Sequence, residues 1–276
     1  MSKQLSLVLA KKQLTPRFIL AILLCFASFS IQAQSTCVAP PPGLVSWWPG
    51  DGNTNDLADD NIGTLQNGAA FATGKVGQAF SFDNVDDYVE FPTDGFVSSA
   101  MTIDLWFNLT SWNGHDDLVQ LSTDGNNANR ISLERGNDFS GCAGDRIFLI
   151  TGDARGSIRL LCTSTSFALG TWYHVAASFD NTGNTSIYVN GILENSATSA
   201  NVPGVIAPSF FVGRNFANET SRLFHGLIDE VDVFDRVLDA DEIAAIYNAD
   251  SAGKCTESET CFVVKAENDN TVTFCL

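Results

Sequence analysis

The stretch Met101-Thr-Ile-Asp-Leu-Trp-Phe-Asn-Leu109 decides the fold. Side chains along a strand alternate between two faces, so Ile103, Leu105, Phe107 and Leu109 share one face, and Thr102, Asp104, Trp106 and Asn108 share the other. A helix would scatter the apolar set around its circumference. Similar short runs recur outward along the chain, at 79–82, 87–91 and 209–213. Residues 172–179 and 185–191 are joined by Asp180-Asn-Thr-Gly-Asn184, which predicts a hairpin with a five-residue loop. One helix is expected near the end. Asp239 supplies its cap, Glu242 completes a capping box, and Ile243, Ile246 and Tyr247 repeat at helical spacing. Many short strands with turn signals and one late helix predict an all-β, antiparallel two-sheet sandwich with a short C-terminal helix.

The chain has 276 residues, 45% of them hydrophobic, enough for a real core and against wholesale disorder. Its 20 Phe and 22 Gly against 2 Met fit strands and turns. With 15 Lys+Arg against 32 Asp+Glu, the formal net charge is −17. That acidity argues against nucleic acid and anionic membrane surfaces as partners. Lys3, Lys11, Lys12 and Arg17 precede an apolar run from Phe18 to Phe29, too short to span a bilayer but suited to a signal peptide. Cleavage is expected after Ala33, which predicts export and no integral membrane span afterwards. The remaining 11 basic and 32 acidic residues give −21.

Six cysteines then remain, and an even number in an exported chain reads as disulfides. Six allow 15 pairings in principle. Cys142 and Cys162 flank two strand-like runs, Cys261 and Cys275 flank a terminal hairpin, and Cys37 and Cys255 bracket everything between. A zinc site finds no paired Cys or His spacing; His115, His174 and His225 are isolated and read as polar strand residues. The expected organisation is a signal peptide at 1–33, one domain at 38–250 and a disulfide-closed hairpin tail at 255–276.

The ordered set Gly43-Leu-Val-Ser-Trp-Trp-Pro-Gly-Asp-Gly52, Gly77-Gln-Ala-Phe-Ser-Phe82, Met101-Thr-Ile-Asp-Leu-Trp106, Thr171-Trp-Tyr-His-Val175, Ile187-Tyr-Val-Asn-Gly191, Phe211-Val-Gly-Arg214 and His225-Gly-Leu-Ile-Asp-Glu-Val231 resembles the concanavalin A-like, laminin G-like jelly-roll domain of exported bacterial proteins. The match covers about residues 43–249. The resemblance implies two stacked antiparallel sheets, a frequent calcium site, and binding of glycans or proteins. By position, Asp51 and Asp229 match the places where a calcium ion joins the first and last strands in this family. Oxygen ligands suit Ca2+. Asp83, Asp86 and Asp87 form a further acidic cluster and read as hairpin-turn residues.

Glu230-Val-Asp-Val-Phe-Asp235 resembles the Glu-x-Asp-x-x-Glu strand of laminarinase-type hydrolases. Retaining glycosidases need a carboxylate pair about 5–5.5 Å apart. Asp235 departs from that family's Glu, and the motif lies in the last strand rather than mid-chain, so Glu230, Asp232 and Asp235 read as architectural. No Gly-x-Ser-x-Gly elbow, His-Glu-x-x-His or phosphate loop occurs. Glycan binding needs flat aromatics beside polar groups. Trp106, opposite the core-facing residues of its strand, together with Trp112 and His115, are the candidate carbohydrate ligands. Residues 114–129 read as a long polar loop, where sandwiches often carry sites. The expectation is a secreted or cell-surface module that binds a glycan or a cell-surface protein, uses Ca2+ structurally and is not an enzyme, with weak glycoside hydrolysis as the alternative.

Overall fold

Apolar alternation of this kind gives each strand one face to bury, and here two sheets bury those faces against each other. The computed structural model describes residues 37–97, 99–112, 114–123, 127–136, 142, 145–215 and 222–256, with the backbone of two further strands. The expected signal peptide lies outside the described residues.

In chain order the strands are β1 Leu44–Trp48, β2 Thr64–Gln66, β3 Ala70–Thr73, β4 Gln78–Asp83, β5 Tyr88–Pro92, β6 Ala100–Leu109, β7 His115–Leu121, β8 Ile131–Gly136, β9 Arg146–Gly152, β10 Ile158–Cys162, β11 Trp172–Asp180, β12 Asn184–Val189, β13 Ile192–Thr198, β14 Ser209–Val212 and β15 His225–Phe234, followed by helix α1 Ala240–Ala249 and strands β16 Cys261–Lys265 and β17 Thr271–Cys275. The first sheet runs β13-β12-β11-β6-β15-β4-β3, with β1 also on β15, and the second runs β10-β9-β8-β7-β14-β5-β2. All strand pairs in the two sheets are antiparallel. This is the expected jelly-roll sandwich.

Ile103, Leu105, Phe107 and Leu109 of β6 meet Val119, Leu133, Ile147 and Leu149 of the second sheet in one core. Burying each such side chain contributes roughly 1.5–3 kcal/mol. Trp48 is fully buried, stacks on Phe91 at 4.1 Å and donates its Nε1–H to Asn61 O at 2.8 Å. The opposite face of the first sheet is not left to solvent. Ile243 and Ile246 of α1 pack with Ala176, Tyr188, Phe234 and Leu238 there. Asp239 caps α1 in the expected box with Glu242.

Two details differ from expectation. The hairpin after β11 turns through Asn181-Thr182-Gly183 alone, because Asn184 already pairs in β12. Asp180 Oδ1 accepts from the Thr182 and Asn184 N–H groups, and Gly183 adopts φ 89° with Ser199 O against it, where a Cβ would have no room. The second difference is larger. Part of the expected polar loop at 114–129 is β7, a central strand of the second sheet.

Disulfides join Cys37 to Cys255 and Cys142 to Cys162, as the flanking pattern implied. In the tail, the β16–β17 register sets Cys261 opposite Cys275, whose side chains lie outside the described residues.

Candidate functional site

Strands β7 and β8 build a polar cluster on the outer face of the second sheet. Their register places His115 opposite Gly136 and Asp117 opposite Glu134. A register shift between Asp117 and Val119 interrupts the alternation, so both Leu118 and Val119 enter the core while His115 and Asp117 meet Glu134. His115 Nε2 lies 2.9 Å from Glu134 Oε2 and 3.8 Å from Asp117 Oδ1. Glu134 Oε1 accepts from Ser132 Oγ and from Arg130. Arg130 Nε donates to Ser132 Oγ at 3.0 Å. Arg222 arrives from outside the two strands, and its carbonyl accepts the Asp117 N–H at 3.1 Å. Its Nη1 stands 3.2 Å from His115 Nε2 and 3.5 Å from Glu134 Oε2. The ring of Phe148 meets His115 edge-on at 5.8 Å.

Glu134 and Asp117 are fully buried, whereas the Arg222 side chain keeps 22% of its surface exposed and forms the outward edge of the cluster. Burial alone would raise the Glu134 carboxyl; the His115 hydrogen bond and the Arg130 charge outweigh it and hold it at about 2. Asp117 goes the other way. Burial pushes it well above the ordinary carboxylate range, and the Glu134 charge adds to the effect. Among the described residues, no donor group reaches either Asp117 oxygen.

The sequence-selected residues do not converge on this cluster, apart from His115. Trp106 keeps only 4% of its surface exposed, on the helix-covered face of the first sheet. Tyr247 of α1 stacks on it at 5.6 Å, His174 sits at 5.3 Å and Lys75 Nζ lies 4.6 Å from the ring centroid. No ring face remains for a sugar, which corrects the expectation for Trp106. Trp112 is half-buried and takes the Arg135 guanidinium over its ring at 4.6 Å, while Arg135 pairs with Asp116 at 3.3 Å. His115 is not the isolated strand residue its sequence suggests. Asp117 lay within the stretch read as a loop. Glu134, Arg130 and Arg222 carry no motif; the β7–β8 register brings in Glu134, and Arg222 joins from a distant segment.

Asp51 and Asp229 converge on a single turn. Asp229 Oδ2 accepts the N–H groups of Lys75 at 2.7 Å and Val76 at 3.0 Å, and Asp51 Oδ1 accepts Gln78 N–H at 2.6 Å. Asp51 is exposed and Asp229 is buried. Burial, with the neighbouring Glu230 charge, pushes Asp229 up to about 8 despite those backbone donors. Its Oδ1 is buried, with no hydrogen-bond donor in range among the described residues. An orphaned carboxylate oxygen fits a hard cation, which takes oxygen ligands. At Asp83 and Asp87 the carboxylates accept backbone N–H groups of Val85 and Asp83, the behaviour of turn residues.

On the Glu230-Asp232-Asp235 strand, two carboxylates are drawn into an ion pair. Glu230 takes φ 53° within a register shift of β15, and its Oε2 accepts from Trp47 Nε1 at 3.0 Å and from Lys254. Lys254 Nζ also lies 2.8 Å from Asp232 Oδ2. Asp235 is exposed beyond the strand, with Gly43 beside it. The two inner carboxylates are thus bound to one ammonium, and the third stands apart.

A cavity of about 450 Å³ opens elsewhere, beside the Cys37–Cys255 disulfide, lined by Leu44, Trp47 and Leu57 among others. It holds none of the charged residues of the second-sheet cluster.

A family profile described as the concanavalin A-like lectin/glucanases superfamily matches residues 82–244, more than half of the chain. The chain belongs to this superfamily. Among solved structures, this lectin/glucanase chain is similar to domain 4 of AbnA, a GH43 extracellular arabinanase from Geobacillus stearothermophilus, in complex with arabinotriose. The TM-score is 0.60 at 21% identity, over 73% of this chain and 96% of that domain. It is also similar to the ligand-binding domain of botulinum neurotoxin serotype D in complex with N-acetylneuraminic acid, with TM-score 0.58 at 12% identity, over 81% of this chain and 57% of that one. The binding domain of Paraclostridial Mosquitocidal Protein 1 gives 0.60 at 15% identity, over 84% and 63%. The chain therefore spans about half to two thirds of these toxin domains. At such identities the likeness establishes the fold. No curated protein matches the chain. Among the described residues, no helix is long and apolar enough to cross a membrane.

Proposed function

We propose that this protein is an exported carbohydrate-binding module that holds its glycan on the outer face of the second sheet, at Arg222 and His115. One observation carries this reading. A charged, hydrogen-bonded cluster fills the outer face of a sheet, with a partly exposed guanidinium at its edge. Clustered polar groups fixed by a rigid sheet suit oriented recognition of hydroxyl and carboxyl groups. The similar domains bound to arabinotriose and to N-acetylneuraminic acid support a sugar as the ligand. Export rests on the basic and apolar start of the chain, with cleavage after Ala33, and on the two disulfides, which persist in oxidising compartments. A calcium ion held by Asp229, with Asp51 beside the same turn, would fix the turn at 75–78 to the last strand of the sheet and take no part in binding chemistry.

A glycan array with the purified protein tests the reading. We expect one glycan class to bind, and Arg222→Ala to lose that binding while keeping its circular dichroism spectrum. An array that stays blank with folded protein, or that Arg222→Ala leaves unchanged, contradicts it.

A further inference from the structure

We infer that His115, Asp117 and Glu134 form a binding site for a divalent transition-metal cation, zinc or manganese. The inference goes beyond the glycan reading and does not depend on it. Three side chains on two paired strands each bring a ligand atom, and these atoms all lie within 4.8 Å of one another. Two ligands on a tetrahedral ion stand about 3.3–3.6 Å apart, given metal bonds of about 2.0–2.2 Å. The His115 separations of 2.9 Å to Glu134 and 3.8 Å to Asp117 bracket that spacing. Rotation of side chains already in place would close the site.

Asp117 supplies the second, independent observation. Both of its oxygens are buried, and among the described residues no N–H or O–H group donates to either of them. A buried carboxyl without a partner is costly, and a cation between Asp117, His115 and Glu134 removes the cost. The surroundings also suit a ligand shell. Ser132 and Arg130 hold Glu134 by Oε1, which leaves Oε2 turned toward His115. Phe148 bears edge-on on the imidazole. Such outer contacts orient metal ligands. One imidazole and two carboxylates favour zinc or manganese over calcium, which prefers oxygen ligands throughout.

Arg222 marks where the positive charge belongs. Its Nη1 lies near both His115 Nε2 and Glu134 Oε2, so a guanidinium now serves the position a metal ion would take. It is the most exposed of the charged groups in the cluster. On metal binding it turns outward and the dication takes over its contacts.

The test uses tag-free full chain, dialysed against a chelator and titrated calorimetrically with ZnCl2, MnCl2 and CaCl2. We expect one site for zinc or manganese, at least about tenfold weaker in Asp117→Asn and in His115→Gln. Arg222→Met should bind the same ion more tightly than wild type. Folded wild type that binds neither ion overturns the inference, as do Asp117→Asn and His115→Gln proteins that bind as tightly as wild type. If these variants do not fold, anomalous scattering from a zinc-soaked wild-type crystal decides. A peak between His115, Asp117 and Glu134 upholds the inference, and its absence there overturns it.

Discussion

Two buried carboxylate clusters sit on the outer faces of the two sheets, and they are closed in different ways. On the first sheet, Glu230 and Asp232 share Lys254, with Asp104 and His174 nearby at a mutual 3.6 Å. Trp47 donates to Glu230, Lys254 lies over its ring at 4.7 Å, and the Cys37–Cys255 disulfide fixes the residue next to Lys254. Burial works against the Lys254 charge, but Asp232 and Glu230 hold its pKa well above the ordinary value. Every member of this cluster is buried, with the terminal segment and the strand β1 against it. On the second sheet, Glu134 is held by Arg130 and Ser132 from its own strand region, and Arg222 reaches in with part of its surface in solvent. The residue types are nearly the same. The difference teaches that the first cluster locks the chain end onto β15, whereas the second presents charge outward.

The largest expected effect lies in the lock. Lys254→Met leaves Glu230 and Asp232 buried without their countercharge, which should cost about 3–5 kcal/mol. Denaturant unfolding would measure it. A loss below about 1 kcal/mol would mean that this cluster is hydrated or protonated, and the contrast between the two faces would weaken.

A small effect is expected away from both clusters. Glu194 accepts from Ser164 N–H at 2.5 Å and Thr165 N–H at 3.0 Å, as well as from the Thr165 hydroxyl. Burial raises its carboxyl, but the Thr165 and Ser164 hydrogen bonds outweigh this and hold it below the ordinary value. A depressed folded pKa contributes stability above the unfolded pKa and loses it as pH falls through the folded one. Glu194→Gln should therefore be less stable by about 1 kcal/mol or less at pH 7, and the gap should close as pH drops below about 4. Thermal melts at both pH values check this; a gap that widens in acid would contradict the assignment.

The sandwich was legible in the sequence because many short strands repeat an apolar alternation, as in Ile103, Leu105, Phe107 and Leu109, with only one helix to cover them. The helix was legible from the Asp239–Glu242 cap, and two disulfides from cysteines that flank strands. Strand β7 was not. His115-Asp116-Asp117 has the composition of a loop, since Asp is depleted in strands, and pairing with β8 makes it a strand. Trp106 was assigned correctly to the face opposite the core, but its sequence does not say that α1 folds back over that face. Glu134, Arg130 and Arg222 are scattered along the chain, and the site they form is a product of register, a long-range property that no local motif encodes.

Glycan recognition at the second sheet's outer face is the central proposal. Isothermal titration of the glycan selected on the array measures it most directly, with wild type compared against Arg222→Ala and against Tyr247→Ala on the helix-covered side. Arg222→Ala is expected to weaken binding at least about tenfold, a loss of about 1.4 kcal/mol, while Tyr247→Ala leaves it unchanged. Binding that survives Arg222→Ala and fails in a folded Tyr247→Ala protein would place the ligand on the other sheet and contradict it.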